Sequence, residues 1–447
     1  MKKILLIVLM PLALAGCKKT SFKPKTLSGG PGAPNIAYTA TNNLTVGTAV
    51  SISPVNTGGA VPTTAYGQVT TFAGSTTAQA GFMDATGTAA LFNSVQQMAL
   101  TASGDLYVTD ANNNAIRKIN PSGVVTTFAG STAGVRGFKD GPDTSARFVY
   151  PDGIAIDAFG NFFISDFKNQ SIRKITPAGV VSTFYNGLNT GGFDANGLCF
   201  DSSGNLIATT VVISQIFKIS PAGVPTSIAG NNVGYINGTG TGAEFDYPSD
   251  VKMDASGNIY VADCANDAIR KITPAGVVTT FAGSDITPNP TEQFGYVNGV
   301  GTAARFYQMT GIEFAPGGVM YVADMSNNDI RRIMPDATVS LVAGSAAQMT
   351  GDADGVGTAA GFNWPDYITI DSNAGIGYIS EWLGNRVRKI VLTGYSLTGT
   401  LLAGLTFDPK TGIISGTPTA VTSATTYTVT GFNTFGFSSS TFTITVN

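Results

Sequence analysis

The residues best suited to chemistry stand in columns that recur along the chain. An acidic residue is followed seven positions later by an arginine five times: Asp110 and Arg117, Asp166 and Arg173, Asp263 and Arg270, Asp324 and Arg331, Glu381 and Arg388. In the third repeat, between Arg173 and Asp263, both members change together, to Thr210 and Phe217. Opposite charges facing each other across a hairpin pair, and joint loss marks two residues as partners. The column reads as a repeated structural ion pair; a ring of substrate-binding arginines is the alternative. A second column is Gln96, Asp152, Asn196, Ser249, Thr310 and Asp366. If the repeats close into a ring, these residues circle the mouth of its central channel, either holding a ligand or hydrating the opening. Asp152 and Asp366 could together hold a cation or a polar ligand. Four aromatics, Tyr150, Tyr247, Tyr307 and Trp364, lie one or two residues after a recurring Phe. They could stack on sugars or peptide side chains, or simply pack between repeats.

Composition removes much other chemistry. The chain has no histidine, which excludes Ser-His-Asp triads, histidine bases and histidine-ligated metals. A net charge of −3 gives no global basic field, so no nucleic-acid partner is expected. A loop motif recurs as GFMDATGTAALF (81–92), GFKDGPDTSARF (137–148), GYINGTGTGAEF (234–245), GYVNGVGTAARF (295–306) and GDADGVGTAAGF (351–362). Its Asx-Gly pairs read as tight turns, with the closing Phe packed between repeats. Asp352 and Asp354 make the last copy a candidate Ca²⁺ site, since Ca²⁺ favours clustered carboxylates and carbonyls. Asn at 237 and 298 weighs against it, and no other cofactor is expected. Cys199 and Cys264 read as independent thiols rather than a disulfide.

These columns are positioned by a repeated strand unit. Tyr260 to Gly283 (YVADCANDAIRKITPAGVVTTFAG) has counterparts starting at Tyr107, Phe163 and Tyr321, with weaker copies at Ile207 and Tyr378. Only 12% of residues are charged and 55 are Gly, a profile of short strands and tight turns. Each unit holds four strand candidates, such as 153–157, 161–165, 171–175 and 180–184. The fuller pattern resembles the NHL repeat: Gly-Ile-x-x-Asp-x-x-Gly-Asn-x-x-Tyr-Val-x-Asp, then Asn-x-x-Ile-Arg-Lys-Ile. That resemblance implies an all-β, six-bladed β-propeller over 67–393. The Arg that this family usually carries before the Ile is replaced at Ala115, Ser171, Ala268 and Asp329, and kept at Arg386. Gln68 to Gly74 lacks three preceding strands, and the last repeat lacks a fourth, so the two should close one blade.

The ends of the ring leave it side by side, which suits insertion into another domain. LLAGLTFDPKTGIISGTPTA, near the C-terminus, resembles the Ig-like domains of bacterial surface proteins. Residues 34–66, with strands near 35–40 and 48–53, and 394–447 then form one discontinuous Ig-like sandwich. The N-terminus has a basic pair, Lys2-Lys3, a short apolar run, and Leu14-Ala15-Gly16-Cys17, which resembles a lipobox. The expectation is a lipoprotein signal peptide at 1–16, lipidation at Cys17 and a flexible tether over 17–33. Lys18 in place of Asp favours an outer membrane. The expected protein is a monomeric, lipid-anchored binding platform of a bacterial envelope, contacting a protein or glycan with the propeller face turned from the membrane. The alternatives are a Ca²⁺-dependent lactonase- or lyase-like enzyme using Asp152, Asn196 and Asp366, and a structural adhesin or spacer. Cys17→Ser is expected to move the protein from the detergent phase to the aqueous phase in Triton X-114 partitioning and to end acyl labelling; retained labelling refutes Cys17 as the acceptor.

Overall fold

The computed structural model describes residues 32–187, 192–284, 294–345 and 347–447. The expected signal peptide, Cys17 and nearly all of the tether lie outside the described residues. The chain between the two parts of the sandwich folds into six antiparallel blades, each running from inner to outer strand in chain order. Blade 1 is Val95–Leu100, Leu106–Asp110, Ala115–Ile119 and Val125–Gly130. Blade 2 is Pro151–Ile156, Phe162–Asp166, Ser171–Ile175 and Val180–Asn186; blade 3 is Ala195–Phe200, Leu206–Thr210, Gln215–Ile219 and Pro225–Ala229. Blade 4 is Pro248–Met253, Ile259–Asp263, Ala268–Ile272 and Val277–Gly283. Blade 5 is Ile312–Ala315, Val319–Asp324, Asp329–Ile333 and Thr338–Gly344. Blade 6 is Pro365–Asp371, Ile376–Glu381 and Arg386–Val391, completed by Gln68–Gly74, which pairs from Arg386↔Gly74 to Ile390↔Val69.

Local chemistry makes the hairpins. In the Asp-x-x-Gly-Asn turn of blade 2, Asp157 Oδ1 accepts from the amides of Phe159 and Asn161 at 2.9 and 2.8 Å, and Gly160 supplies φ +80°. The 3₁₀ turn after each second strand closes on a left-handed residue: Asn114, Gln170, Asp267 and Asn328 in blades 1, 2, 4 and 5.

The Asp and Arg columns meet in a buried cluster that also absorbs the loop motif. In blade 1, Asp110 Oδ2 accepts from Arg117 Nη1 at 2.7 Å and Asn113 Nδ2 at 2.8 Å, while its Oδ1 accepts from the Asn93 amide. The other guanidinium nitrogen, Nη2, donates to Asp84 Oδ1 at 2.5 Å, and Phe82 and Phe92 stack on the guanidinium at 4.6 and 5.1 Å. The same set recurs as Asp166, Arg173 and Asp140; Asp263, Arg270 and Asn237; Asp324, Arg331 and Asn298. The Asx of each Asx-Gly pair is therefore an acceptor for a buried arginine, and Asn serves as well as Asp. The closing Phe packs against that guanidinium. In blade 6, Glu381 accepts from both Arg386 and Arg388. Arg386 also pairs with Asp352, and Arg388 Nη2 meets Asp354 at 2.9 Å. The two proposed Ca²⁺ carboxylates are thus occupied by arginines. Blade 3 carries Thr210 and Phe217 instead, and Phe217 meets the Phe193 ring at 5.3 Å where a guanidinium would lie.

The loop motif does not line the mouth. It runs to the outer rim, where Gly141–Pro142, Gly238–Thr239, Gly299–Val300 and Gly355–Val356 each add a short strand to the fourth strand of their blade. That position covers an otherwise open sheet edge.

The second module is a sandwich of both chain ends. Thr41–Leu44 joins Gly436–Val446, Thr422–Asn433 and Gly394–Thr398 in one sheet; Val50–Ile52 joins Ile414–Gly416 and Leu405–Phe407 in the other. Ile36–Ala37 and Val55–Asn56 pair separately. The first part thus has four short strands, not the two longer ones expected over 35–40 and 48–53. The break at residues 38–40 lets the Tyr38 hydroxyl reach Gly412 O while its ring stacks on Phe442 at 4.6 Å. Arg332 clamps the sandwich to blade 5. Its Nη1 donates to Tyr66 Oη and Ser396 Oγ, both at 3.1 Å, and its guanidinium lies 4.7 Å from the Phe432 ring. Blade 5 reads Arg-Arg-Ile where its neighbours read Arg-Lys-Ile, because only a planar guanidinium can stack and donate together.

Arg270→Met leaves the fully buried Asp263 without its cation and is expected to cost about 3–5 kcal/mol in urea unfolding. The double variant Asp263→Thr, Arg270→Phe, which copies blade 3, is expected to cost clearly less. A single variant within about 1 kcal/mol of the native protein contradicts a stabilising cluster.

Candidate functional site at the channel mouth

The inner strands carry the site because five of the six are bulged at their start. Pairing with the second strand slips between Val95 and Met98, Pro151 and Ile154, Ala195 and Leu198, Pro248 and Asp250, and Pro365 and Ile368. A bulge turns consecutive side chains toward one side, where a regular strand would alternate them. Gln96, Asp152, Asn196, Ser249, Thr310 and Asp366 all line one cavity of about 730 Å³ at the upper end of the channel. Five lie within the inner strands and Thr310 just before one.

These residues are fixed by their backbones. Thr109 Oγ1 donates to Asp152 O at 2.6 Å, Ser165 Oγ to Asn196 O at 3.3 Å, and Thr209 Oγ1 to Ser249 O at 3.4 Å. Ser249 Oγ then donates to Thr310 O at 2.8 Å, and Thr310 Oγ1 to Asp366 O at 2.5 Å. Each hydroxyl links one blade to the next through the carbonyl of a mouth residue.

Directly below, a second ring closes the channel. Gln97 Nε2 of blade 1 donates across the axis to Asp250 Oδ1 of blade 4 at 2.8 Å. The Tyr367 hydroxyl of blade 6 donates across it to Asn196 Oδ1 of blade 3. The equivalent residues of the remaining blades are Gly153, Gly197 and Gly311. At Gly311 an added Cβ would stand 2.6 Å from Tyr367 Cα, so the inner strands meet too closely for a side chain. The mouth is therefore a blind pocket. Beneath the plug Lys252 Nζ lies 3.6 Å from Asp250 and 3.7 Å from Glu313.

The walls come from two positions. One is two residues after the recurring Phe, where the backbone is left-handed: Tyr150 (φ 55°), Tyr247 (φ 54°), Gln308 (φ 49°) and Trp364 (φ 57°). Such strain costs about 1 kcal/mol or more per bulky residue and needs external support. The preceding blade supplies it: Asn114 Oδ1 accepts from the Tyr150 amide, Asp267 Oδ1 from Gln308, and Asn328 Oδ1 from Trp364. Tyr307 sits one residue earlier and does not line the pocket. Its amide is held by Asp324 Oδ1 and its ring stacks on Phe294 at 4.7 Å; Gln308 takes the wall position. The other wall position directly follows the acidic column: Phe167, Cys264, Met325 and Trp382. Sequence reasoning passed over these four and the plug residues Gln97, Asp250 and Tyr367. Alignment on the acidic column already puts the wall four in register. Trp364 and Trp382 meet edge to face at 5.3 Å.

The floor is acidic. Asp152 is 4% exposed; its Oδ2 accepts from Asn196 Nδ2 at 3.2 Å and its Oδ1 has no partner. Burial, helped by the Asp250 charge and opposed by Lys168, pushes Asp152 up to about 7. Burial, then Asp152, raises Asp366 well above the usual carboxylate range. Cys199 and Cys264 are both free thiols. Cys264 faces the mouth and Cys199 sits on an inner strand near Lys252, and burial raises both.

Comparison with known proteins gives this architecture its class. The chain carries an NHL repeat at 245–272, the first three strands of blade 4, and matches the He_PIG family, described as Putative Ig domain, at 391–447. The protein is a six-bladed β-propeller that carries an NHL repeat in blade 4, joined to a sandwich whose C-terminal part matches an Ig-like domain. A segment of 73 residues is 41% identical to Protein SUPPRESSOR OF QUENCHING 1, chloroplastic, of Arabidopsis thaliana, covering 16% of this chain and 7% of that protein. Another of 158 residues is 27% identical to NHL repeat-containing protein 2 of Bos taurus, covering 34% of this chain and 21% of that one. The matches thus span about a fifth or less of these relatives. An auxiliary nutrient binding protein from Bacteroides ovatus superposes with a TM-score of 0.58 at 15% identity, over 79% of this chain and 98% of that one, a likeness of fold.

A carboxylate whose pKa is raised on folding contributes stability that is lost as pH rises through the folded value. For Asp152 the window runs from about 4 to about 7. Asp152→Asn is expected to gain about 2 kcal/mol relative to the native protein between pH 5 and pH 8, measured by urea unfolding. A constant difference across that range contradicts the buried, raised carboxyl.

Proposed function

We propose that this protein is a lipid-anchored binding protein of a bacterial envelope that takes a small polar ligand, a saccharide unit or a peptide side chain, into the channel mouth. One observation carries the reading: a blind pocket of about 730 Å³ whose wall includes Tyr150, Tyr247, Trp364 and Trp382 and whose floor is polar. Aromatic faces stack on sugar rings and peptide side chains, and the amides and carboxylates of the floor fix orientation. The Bacteroides protein of similar fold, an auxiliary nutrient binding protein, supports a binding role. Lipidation rests on Leu14-Ala15-Gly16-Cys17, and no helix among the described residues is long and apolar enough to cross a membrane. The sandwich packs Phe437 against Gly317 in the loop between the first two strands of blade 5, at the end of the blade opposite the mouth. That placement suits a platform whose mouth points away from its tether. A catalytic use of Asp152, Asn196 and Asp366 is less favoured, because both side-chain atoms of Asn196 are engaged, by Tyr367 and Asp152.

Trp364 and Trp382 are the chain's two tryptophans, so intrinsic fluorescence reports on the mouth directly. Titration of saccharides and short peptides is expected to find ligands that shift the emission. Tyr247→Ala is expected to weaken those ligands about tenfold or more, about the loss of one aromatic stacking contact. Ligands that bind with unchanged affinity to Tyr247→Ala and Asp366→Asn refute the site.

A further inference from the structure

The carboxylates of this molecule divide into two kinds. Asp110, Asp166, Asp263, Asp324 and Glu381 are fully buried, and each is in contact with an arginine of its own blade. Asp250, in the plug, accepts from Gln97 and from the amides of Val251 and Ile312, with Lys252 below it. Asp152 and Asp366 have no such cation: no Lys or Arg nitrogen among the described residues lies within 4.0 Å of either, though both line an open pocket. Among the described residues Asp267 and Asp329 are buried without a cation too, but neither lines the mouth.

We propose that the mouth selects a small organic ammonium ion, a protonated amine carried on a ring or other compact apolar body, over a neutral ligand of the same shape. This rests on the mouth being the ligand site. Asp152 lines the pocket with a side chain more than nine-tenths buried, and its Oδ1 accepts from no donor, so a small rotation of the carboxylate brings an unshared acceptor to an ammonium N–H. Asp366 is a second carboxylate on the same floor, two blades away. The walls add the faces of Trp364, Trp382, Tyr150, Tyr247 and Phe167, which attract a cation through their quadrupoles while they cover its carbon body. The pocket does not suit a bare metal ion: among the described residues no three carboxylates or thiols group closely enough to hold one, and the lining is largely carbon.

The charged and titratable groups around Asp152 and the pocket come from several blades: Lys168 from its own blade, Asp250 from blade 4, Asp366 from blade 6, Asp246 and Cys264 in the wall beside blade 4, and the hydroxyls of Tyr150, Tyr247 and Tyr367. Lys168 stands at the rim, 4.8 Å from the Phe167 ring, where it opposes a cation only in part. An ammonium ligand restores to Asp152 the counter-charge that burial withholds, so its binding is coupled to loss of the Asp152 proton.

The test uses the full chain in detergent, with matched probes whose amines stay protonated at pH 8: benzylamine against benzyl alcohol, and cyclohexylamine against cyclohexanol, read by tryptophan emission and calorimetry. At pH 8 at least one amine is expected to bind ten times or more tighter than its hydroxyl partner, with affinity falling several-fold by pH 6. Asp152→Asn is expected to bring that amine down to the hydroxyl probe's affinity; Asp366→Asn serves if that variant fails to fold by circular dichroism. Equal affinities within both pairs, or a preference that survives both variants, overturn the proposal. If only hydroxyl probes shift the emission, the mouth stands as a binding site and the amine preference falls. If no probe shifts it up to millimolar concentration, both fall.

Discussion

The structure depends on one interaction repeated around the ring: a buried arginine between an acidic residue and an Asx, stacked on aromatic rings. A guanidinium removed from water is costly unless its donors are met and its charge is balanced. Here the acidic residue at the end of the second strand gives the charge. The Asx of the incoming loop takes the second nitrogen, and carbonyls such as Leu91 O and Met83 O take further donors. The aromatics above and below exclude water. One side chain thus joins the second strand, the third strand and the loop arriving from the previous blade. The loop is pulled to the outer rim, so the mouth is left to the inner strands. Blade 3 tests this logic within the chain. Without the acid and the arginine, Phe217 and Phe193 fill the space with rings.

From that constraint follows a mouth built by close approach. The inner strands are tied blade to blade through hydroxyls on the carbonyls of the mouth residues, and the glycines at 153, 197 and 311 let the strands converge. The bulges then present two layers of side chains, a polar ring above and a plug below. The same convergence strips water from Asp152 and Asp366, neither of which has a Lys or Arg nitrogen of the described residues within ion-pair distance. A propeller can hold its fold with the carboxylates of its acidic column neutralised and still keep an unbalanced pair at its axis, because the blades, not the axis, supply most of the packed core.

Much of this was legible in the residues. The repeat grammar gave the blades and the missing fourth strand, since hydrophobic periodicity and turn residues are local signals. The joint change at Thr210 and Phe217 pointed to a physical pair. Gln96, Asp152, Asn196, Ser249, Thr310 and Asp366 could be aligned as one ring because they hold one register in each repeat. What stayed hidden came from backbone irregularity. Gln97, Asp250 and Tyr367 follow those residues directly, and period-2 alternation sends neighbours to opposite faces unless a bulge intervenes. Tyr307 and Gln308 exchanged roles because a left-handed φ at Gln308 turns that residue, not its neighbour, into the pocket. The loop motif read as turn chemistry because nothing local reveals that its Asx reaches an arginine 33 positions later.

The sequence by itself determined the all-β class, the number of repeats, the closing strand and the identity of the polar ring. These depend on short-range spacing that any copy of the repeat carries. The acidic column showed its arginines in the spacing; only the tertiary structure decided that the loop residues Asp84 and Asp140 also meet arginines and that Asp152 and Asp366 meet none. Neutralisation depends on what lies across the axis or in the next blade, and chain separation sets no limit on that. Asp263 has Arg270 seven positions on, and Asp152 has Phe159 there. One folds beside a guanidinium and the other lines the mouth, and that difference in surroundings gives the first a structural role and the second its place on the pocket floor.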